Sequence, residues 1–175
     1  SSGATSSSSG SGTTSSSSSG GSTSGAPAAG QARFTATFSA PVDGYNGGTA
    51  PFAGTDDKGK AEVTSGDHAF SSVLQDSKQV RTVSVSVDGA PVQGMTYNIA
   101  ATQDDFIKGN LITYQELDIA TTKSRTWFCA GTVKFDSIVG KVHELTFDAK
   151  CQKYPTGSSA EGGMTMVGTG IGTLP

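Results

Sequence analysis

Residues 127–151 read WFCAGTVKFDSIVGKVHELTFDAKC, and folding this stretch back on itself about Gly140 decides the fold. Odd positions between Thr126 and Asp136 are Trp127, Cys129, Gly131, Val133 and Phe135. Between Glu144 and Lys153 the odd positions are Leu145, Phe147, Ala149, Cys151 and Lys153, and the even positions of both runs are mostly polar. Strand side chains alternate between faces, so matching the two apolar sets requires an even sum of paired residue numbers. A sum of 280 sets Phe135 against Leu145, Val133 against Phe147 and Cys129 against Cys151. Val139, Gly140 and Lys141 then close the hairpin as a three-residue loop. Directly opposed residues have Cα atoms roughly 4.5–5.5 Å apart, within reach of a disulfide. Cys129 and Cys151 are the only cysteines in the chain. As a disulfide, rather than a pair of buried free thiols, they place the protein in an oxidising, extracytoplasmic compartment: secreted, periplasmic or tethered to an outer surface.

Working outward, short alternating runs recur with Gly, Asp and Asn clusters between them, which predicts an all-β domain rather than a helical one. Phe34, Ala36 and Phe38 mark a first strand. Asp43, Gly44, Asn46, Gly47 and Gly48 read as turn material, and Thr55 to Lys60 as a further loop. His68 to Leu74 reads as a strand, and Val83, Val85 and Val87 form the clearest strand of all. A wide loop from Asp88 to Gly94 would pair Val87 with Met95, Val85 with Tyr97 and Val83 with Ile99. Thr102, Asp105 and Gly109 are spaced to cap and stop a single helical turn. Leu111 to Ile119 continues as a strand and returns through Thr121 to Ser124 into the cysteine hairpin. Met164 to Ile171 is the last strand, with Gly168 and Gly170 weakening it or marking a bulge. The expected architecture is an antiparallel β-sandwich, Ig-like or jelly-roll-like, spanning residues 31–175.

The first thirty residues hold fourteen Ser, seven Gly, four Thr, four Ala, one Pro and no charge; charged residues begin at Arg33. A segment without large apolar side chains cannot offset the entropy of ordering its backbone, so residues 1–30 read as a disordered tether roughly 30 Å in root-mean-square reach. A formal charge of −3 with dispersed signs provides no basic stripe for phosphates and no polybasic segment for an anionic bilayer. Nucleic acid and peripheral membrane binding are disfavoured. No run approaches a membrane span, and a first residue of Ser fits removal of a signal peptide.

Chemistry is sparse. His68 and His143 have no His, Cys or carboxylate at a spacing that reads as a metal site, so no metal and no cofactor is expected. Asp56 with Asp57 and Asp104 with Asp105 are adjacent acids in loops whose side chains point apart, which favours solvated turns over a calcium loop. Serine runs fall in the tether, where no fixed base activates a hydroxyl. Gly157, Ser159 and Glu161 miss the nucleophile-elbow pattern, and Gly168, Gly170 and Gly172 lack the context of a nucleotide-binding run. Aromatics are the one handle. Phe128 falls on the polar face of its strand, and with Tyr45, Tyr114 and Tyr154 it could form the exposed strip on which a sugar ring stacks, unless a loop or second sheet covers it. Trp127, on the cysteine face, is a core residue.

The order of Phe38, Ala40, Val42 and Gly44, then Gly94 and Tyr97, then Trp127, Gly131, Val133 and Gly140, then Phe147, Ala149, Gly168 and Gly170 resembles that of small secreted bacterial lipoprotein domains of unknown function. The resemblance implies a sandwich displayed from a membrane by an N-terminal lipid on a Cys just ahead of Ser1, the one membrane contact expected. The sequence thus points to a non-catalytic structural or adhesion module whose partner is a cell-wall or surface glycan or another surface protein. A carbohydrate-binding module and a hydrolase accessory domain or small secreted hydrolase are the alternatives. Deleting residues 1–30 should leave the thermal midpoint within roughly 1 °C, because they bury little apolar area; calorimetry of the two forms checks this.

Overall fold

The computed structural model describes residues 25–39, 50–154 and 163–175. Residues 1–24 of the expected tether, the Asp43 to Gly48 turn and the Gly157 to Glu161 run lie outside them, whereas residues 25–30 are described: Pro27 is buried and Gly30 bonds to Thr173 and Ala61, so the stretch removable without cost ends at residue 24. The strands are β1 (Gln31–Ser39), β2 (Phe52–Ala53), β3 (Thr55–Thr64), β4 (Asp67–Gln75), β5 (Gln79–Val87), β6 (Thr96–Ile99), β7 (Leu111–Asp118), β8 (Ser124–Val139), β9 (Val142–Tyr154) and β10 (Met164–Thr173), with one short helix, α1 (Gln103–Ile107). All ten strands belong to a single sheet of order β2-β1-β10-β9-β8-β7-β5-β4-β3, with β6 attached to β8, and every pairing is antiparallel. The all-β expectation stands, but instead of two packed sheets the single sheet curls into a nearly closed barrel. Eight strands follow one another around it in chain order.

The seam lies between β1 and β3. Ladder bonds there are replaced by single contacts: Ala61 N donates to Gly30 O at 2.9 Å, and Gly54 N donates to Phe34 O at 3.0 Å. Phe34 N donates to the Oγ of Ser72, a fully buried hydroxyl reaching over from β4, at 3.0 Å. Arg33 and Asp56 add a 2.8 Å ion pair. Buried backbone groups that lack a strand partner are thereby satisfied.

Inward-facing residues fill the barrel. Phe34, Phe52, Phe70, Tyr114, Trp127 and Phe135 are each at most 1% exposed. Gly168, Gly170 and Gly172 all lie on the inner face of β10, and a Cβ on each would overlap the ring of Phe147, Phe34 and Phe70 respectively. No bulge interrupts this strand, whose register with β1 and β9 is continuous. The glycines are the small partners that admit large rings to a narrow interior.

The hairpin register is as expected from Trp127↔Lys153 through Cys129↔Cys151 and Val133↔Phe147 to Phe135↔Leu145. Cys129 and Cys151 form a disulfide with Cα atoms 3.9 Å apart, buried within the barrel. Beyond Phe135 the pairing slips: Ser137 faces Glu144 and Val139 faces Val142. Asp136 is the extra residue of a bulge, so the turn contains two residues rather than three. Gly140, at φ 59°, takes the first central position, as a type II′ turn requires. The bulge also turns Ile138 inward opposite His143.

Two further expectations are corrected. Thr55 to Lys60 belongs to β3 rather than to a loop, its irregular register against β4 accounting for the lost alternation. The pairing of β5 with residues 95–99 does not occur: β5 lies between β4 and β7, while Tyr97 and Ile99 face Val133 and Gly131. The helical turn is present. Thr102 Oγ1 accepts from Asp105 N, Asp105 Oδ2 accepts from Thr102 N, and Gly109 follows at φ 75°. That backbone bond from Thr102 is the main reason the Asp105 carboxyl titrates below its usual range.

Phe147→Ala should cost about 3–5 kcal/mol in urea denaturation, against about 0.5 kcal/mol for outward-facing Thr146→Ala. Gly170→Val should cost about 1–3 kcal/mol, because the Phe34 ring must move.

Candidate functional site

Core-facing parity places three polar side chains inside one end of the barrel. Arg81 of β5 lies opposite Glu116 of β7, and Tyr114 lies two residues before Glu116 on the same face. Arg81 and Glu116 are each 5% exposed and Tyr114 is fully buried. Arg81 Nε donates to Tyr114 Oη at 2.7 Å, and Tyr114 Oη donates to Glu116 Oε1 at 2.6 Å. The remaining guanidinium nitrogens donate to Pro51 O at 3.2 Å and Ala50 O at 2.9 Å. The cation also lies over the rings of Phe38, Phe52 and Tyr114, at 5.2, 5.8 and 5.5 Å from their centroids.

Electrostatics keep the phenol of this cluster protonated. Burial, reinforced by the bond to Glu116, pushes the Tyr114 phenol far above its ordinary value although Arg81 opposes the shift. The phenol therefore remains a donor that carries the influence of Arg81 to Glu116. Acid–base chemistry on a substrate would require one of these groups to reach a bound molecule. Instead Arg81 is spent on the carbonyls just before β2, clasping that short strand over the seam.

Of the four aromatic candidates, the two whose side chains are described, Tyr114 and Phe128, do not share an exposed strip. Tyr114 is interior, which removes it from any surface. Phe128 is half-buried beneath the ring of Phe106 from α1, at a centroid distance of 4.8 Å, so the connection between β6 and β7 covers it. Tyr154 ends β9 opposite Thr126, and its side chain lies outside the described residues, as does Tyr45. Of the acid pairs, Asp56 is engaged by Arg33, and Asp104 and Asp105 form the first turn of α1. Among the described residues no three His, Cys, Asp or Glu side chains cluster as a metal site, and no helix is long and apolar enough to cross a membrane.

Sequence spacing missed two arrangements. One is the Arg81 cluster, whose parity was readable because Arg81 continues the Val83, Val85 and Val87 face. The other is a pairing of the two histidines at the opposite end of the barrel, with ring centroids 5.9 Å apart. They come from β4 and β9, and only barrel closure brings those strands face to face.

On the outside, a shallow groove of about 720 Å³ crosses β2, β1, β10, β9, β8 and β6. Its floor presents Thr35, Thr96, Thr132, Thr146 and Thr169, with Lys134 beside them. The phenylalanines that border it, Phe52 and Phe147, are 1% and 2% exposed. Among the described residues it is a surface of hydroxyls and methyls with no aromatic platform.

These features define the class to which the chain belongs structurally, a nearly closed antiparallel barrel with a packed interior. No family model, no curated protein and no solved structure matches the chain.

Tyr114→Phe should destabilise the domain by about 1–3 kcal/mol, because Arg81 and Glu116 each lose a buried partner. Arg81→Met should cost more, about 3–5 kcal/mol, by removing the charge that offsets Glu116. Adding Glu116→Leu to Arg81→Met should recover part of the loss, and urea denaturation of the three variants reads the order.

Proposed function

We propose that the protein is a non-catalytic structural or adhesion module that works outside the cytoplasm, carried on the tether that the composition of residues 1–30 predicts. The observation that carries this reading is the filled interior. The barrel holds aromatic rings where a ligand-carrying barrel holds a cavity, and the buried Arg81, Tyr114 and Glu116 bond to one another and to backbone. Recognition is left to the outer face. The buried disulfide supports an oxidising location, secreted, periplasmic or surface-tethered. A lipid upstream of Ser1 is the attachment that the lipoprotein resemblance implies.

A carbohydrate-binding module is the second reading, and the threonine groove is what favours it, since hydroxyl rows complement a polyhydroxylated chain. With no aromatic platform among the described residues, such binding would be weak. Arg81 and its partners offer little support to the third reading, a small hydrolase, because none of them is exposed.

The test is a pull-down on isolated cell walls and a glycan array with the tether-free domain, alongside a hydrolase substrate panel. Retention on cell-surface material without turnover is expected. Saturable binding of a soluble oligosaccharide that Thr146→Arg abolishes would move the assignment to the second reading, and turnover abolished by one substitution would overturn both.

A further inference from the structure

Both histidines face the barrel interior at the end remote from Arg81. His68, on β4, lies between Val63 of β3 and Val87 of β5 in the ladder. His143, on β9, lies between Ile138 of β8 and Gly172 of β10 and is 4% exposed. Phe70 and Phe135 pack against the His143 ring at centroid distances of 5.4 and 6.2 Å. The ladder neighbours of both imidazoles are thus uncharged.

Each ring has one nitrogen whose state the surroundings define. His143 Nδ1 lies 3.0 Å from the Lys141 carbonyl oxygen, and because a carbonyl only accepts, Nδ1 carries the proton and Nε2 carries the lone pair. A ring N–H held by a backbone carbonyl is the arrangement that orients a metal-binding histidine. His68 Nδ1 is buried and has no hydrogen-bond partner among the described residues. A buried ring nitrogen without a partner is costly, and a bound cation would satisfy it.

The separation of the rings fits a shared ion. With metal–nitrogen bonds of about 2.0–2.1 Å, two imidazoles on one ion have centroids about 5.2–6.4 Å apart for angles from tetrahedral to linear. The observed 5.9 Å falls within that interval. We infer that His68 and His143 form an open two-imidazole site for a late first-row divalent cation such as Zn²⁺ or Cu²⁺, bound through His68 Nδ1 and His143 Nε2. Water or an incoming donor completes the coordination sphere, because no third metal-binding side chain joins the pair among the described residues. Imidazole donors select these ions over Mg²⁺ and Ca²⁺, which take oxygen.

The experiment is titration of the untagged full chain with ZnCl₂ by calorimetry, with the thermal midpoint followed in parallel and MgCl₂ as control. Binding of one Zn²⁺ per chain is expected, with a midpoint rise of about 5 °C at a free concentration tenfold above the dissociation constant. His68→Gln and His143→Gln should each weaken binding at least tenfold while circular dichroism confirms the barrel. His68 is the less buried of the two, so its variant decides should His143→Gln fail to fold. Absence of binding at millimolar Zn²⁺, binding retained in His68→Gln, or an equal response to Mg²⁺ would overturn the assignment.

Discussion

Three phenylalanine rings share the barrel interior with a strand that has no side chains where they lie. Phe147, Phe34 and Phe70 occupy the space where Cβ atoms on Gly168, Gly170 and Gly172 would stand, so β10 approaches the core more closely than any residue with a side chain would allow. This complementarity sets the curvature of the sheet. A β10 carrying Val or Leu at these positions would push its neighbours outward and hold the sheet open at the seam. Glycine is a poor strand former in isolation. Here its conformational cost is offset by the burial of the aromatic rings it admits.

The hairpin about Gly140 was the most legible part of the chain, because its apolar period of two ran unbroken over two long strands and cysteine fixed the register. Its tip was misread for one reason: Asp136, inserted as a bulge, shifts the pairing by one, and a polar residue in a half-exposed strand leaves no mark on the alternation. β3 was hidden for a similar reason. Asp56, Asp57 and Lys58 look like loop residues, and the strand tolerates them because it borders the seam, where one side faces solvent and Arg33 provides a counter-charge. Pairing β5 with residues 95–99 seemed natural because adjacent strands usually pair, yet β6 lies against β8 and α1 carries the chain back to β7. Closure itself was illegible. Nothing in a local period distinguishes an alternating strand in a sandwich from one in a barrel.

Sites assembled across the barrel were correspondingly invisible. Arg81, at the end of a valine face, is a buried clasp whose three guanidinium nitrogens meet a phenol and two carbonyls. The histidines lie 75 positions apart in the chain. Neither has a metal-binding partner at a readable spacing until β4 and β9 are seen to face one another. Two of the aromatic candidates differ in the reverse direction: Tyr114, on a strand of unknown phase, lies inward, and Phe128 is roofed by the helix whose capping box the sequence did announce.

β1 owes nearly all of its ladder to β10, from Gln31↔Thr173 to Ser39↔Thr165, with only β2 on its other side. Among the described strands, the first to be synthesised therefore waits for the last. While the chain emerges, β3 to β9 can form as successive hairpins, but Phe34 and Phe70 have no completed interior until residues 164–173 arrive. The barrel therefore closes only once β10 has been made. Cys129 and Cys151 oppose each other within the β8–β9 hairpin, which needs no β10 to form, so they can be oxidised before the interior is sealed around them.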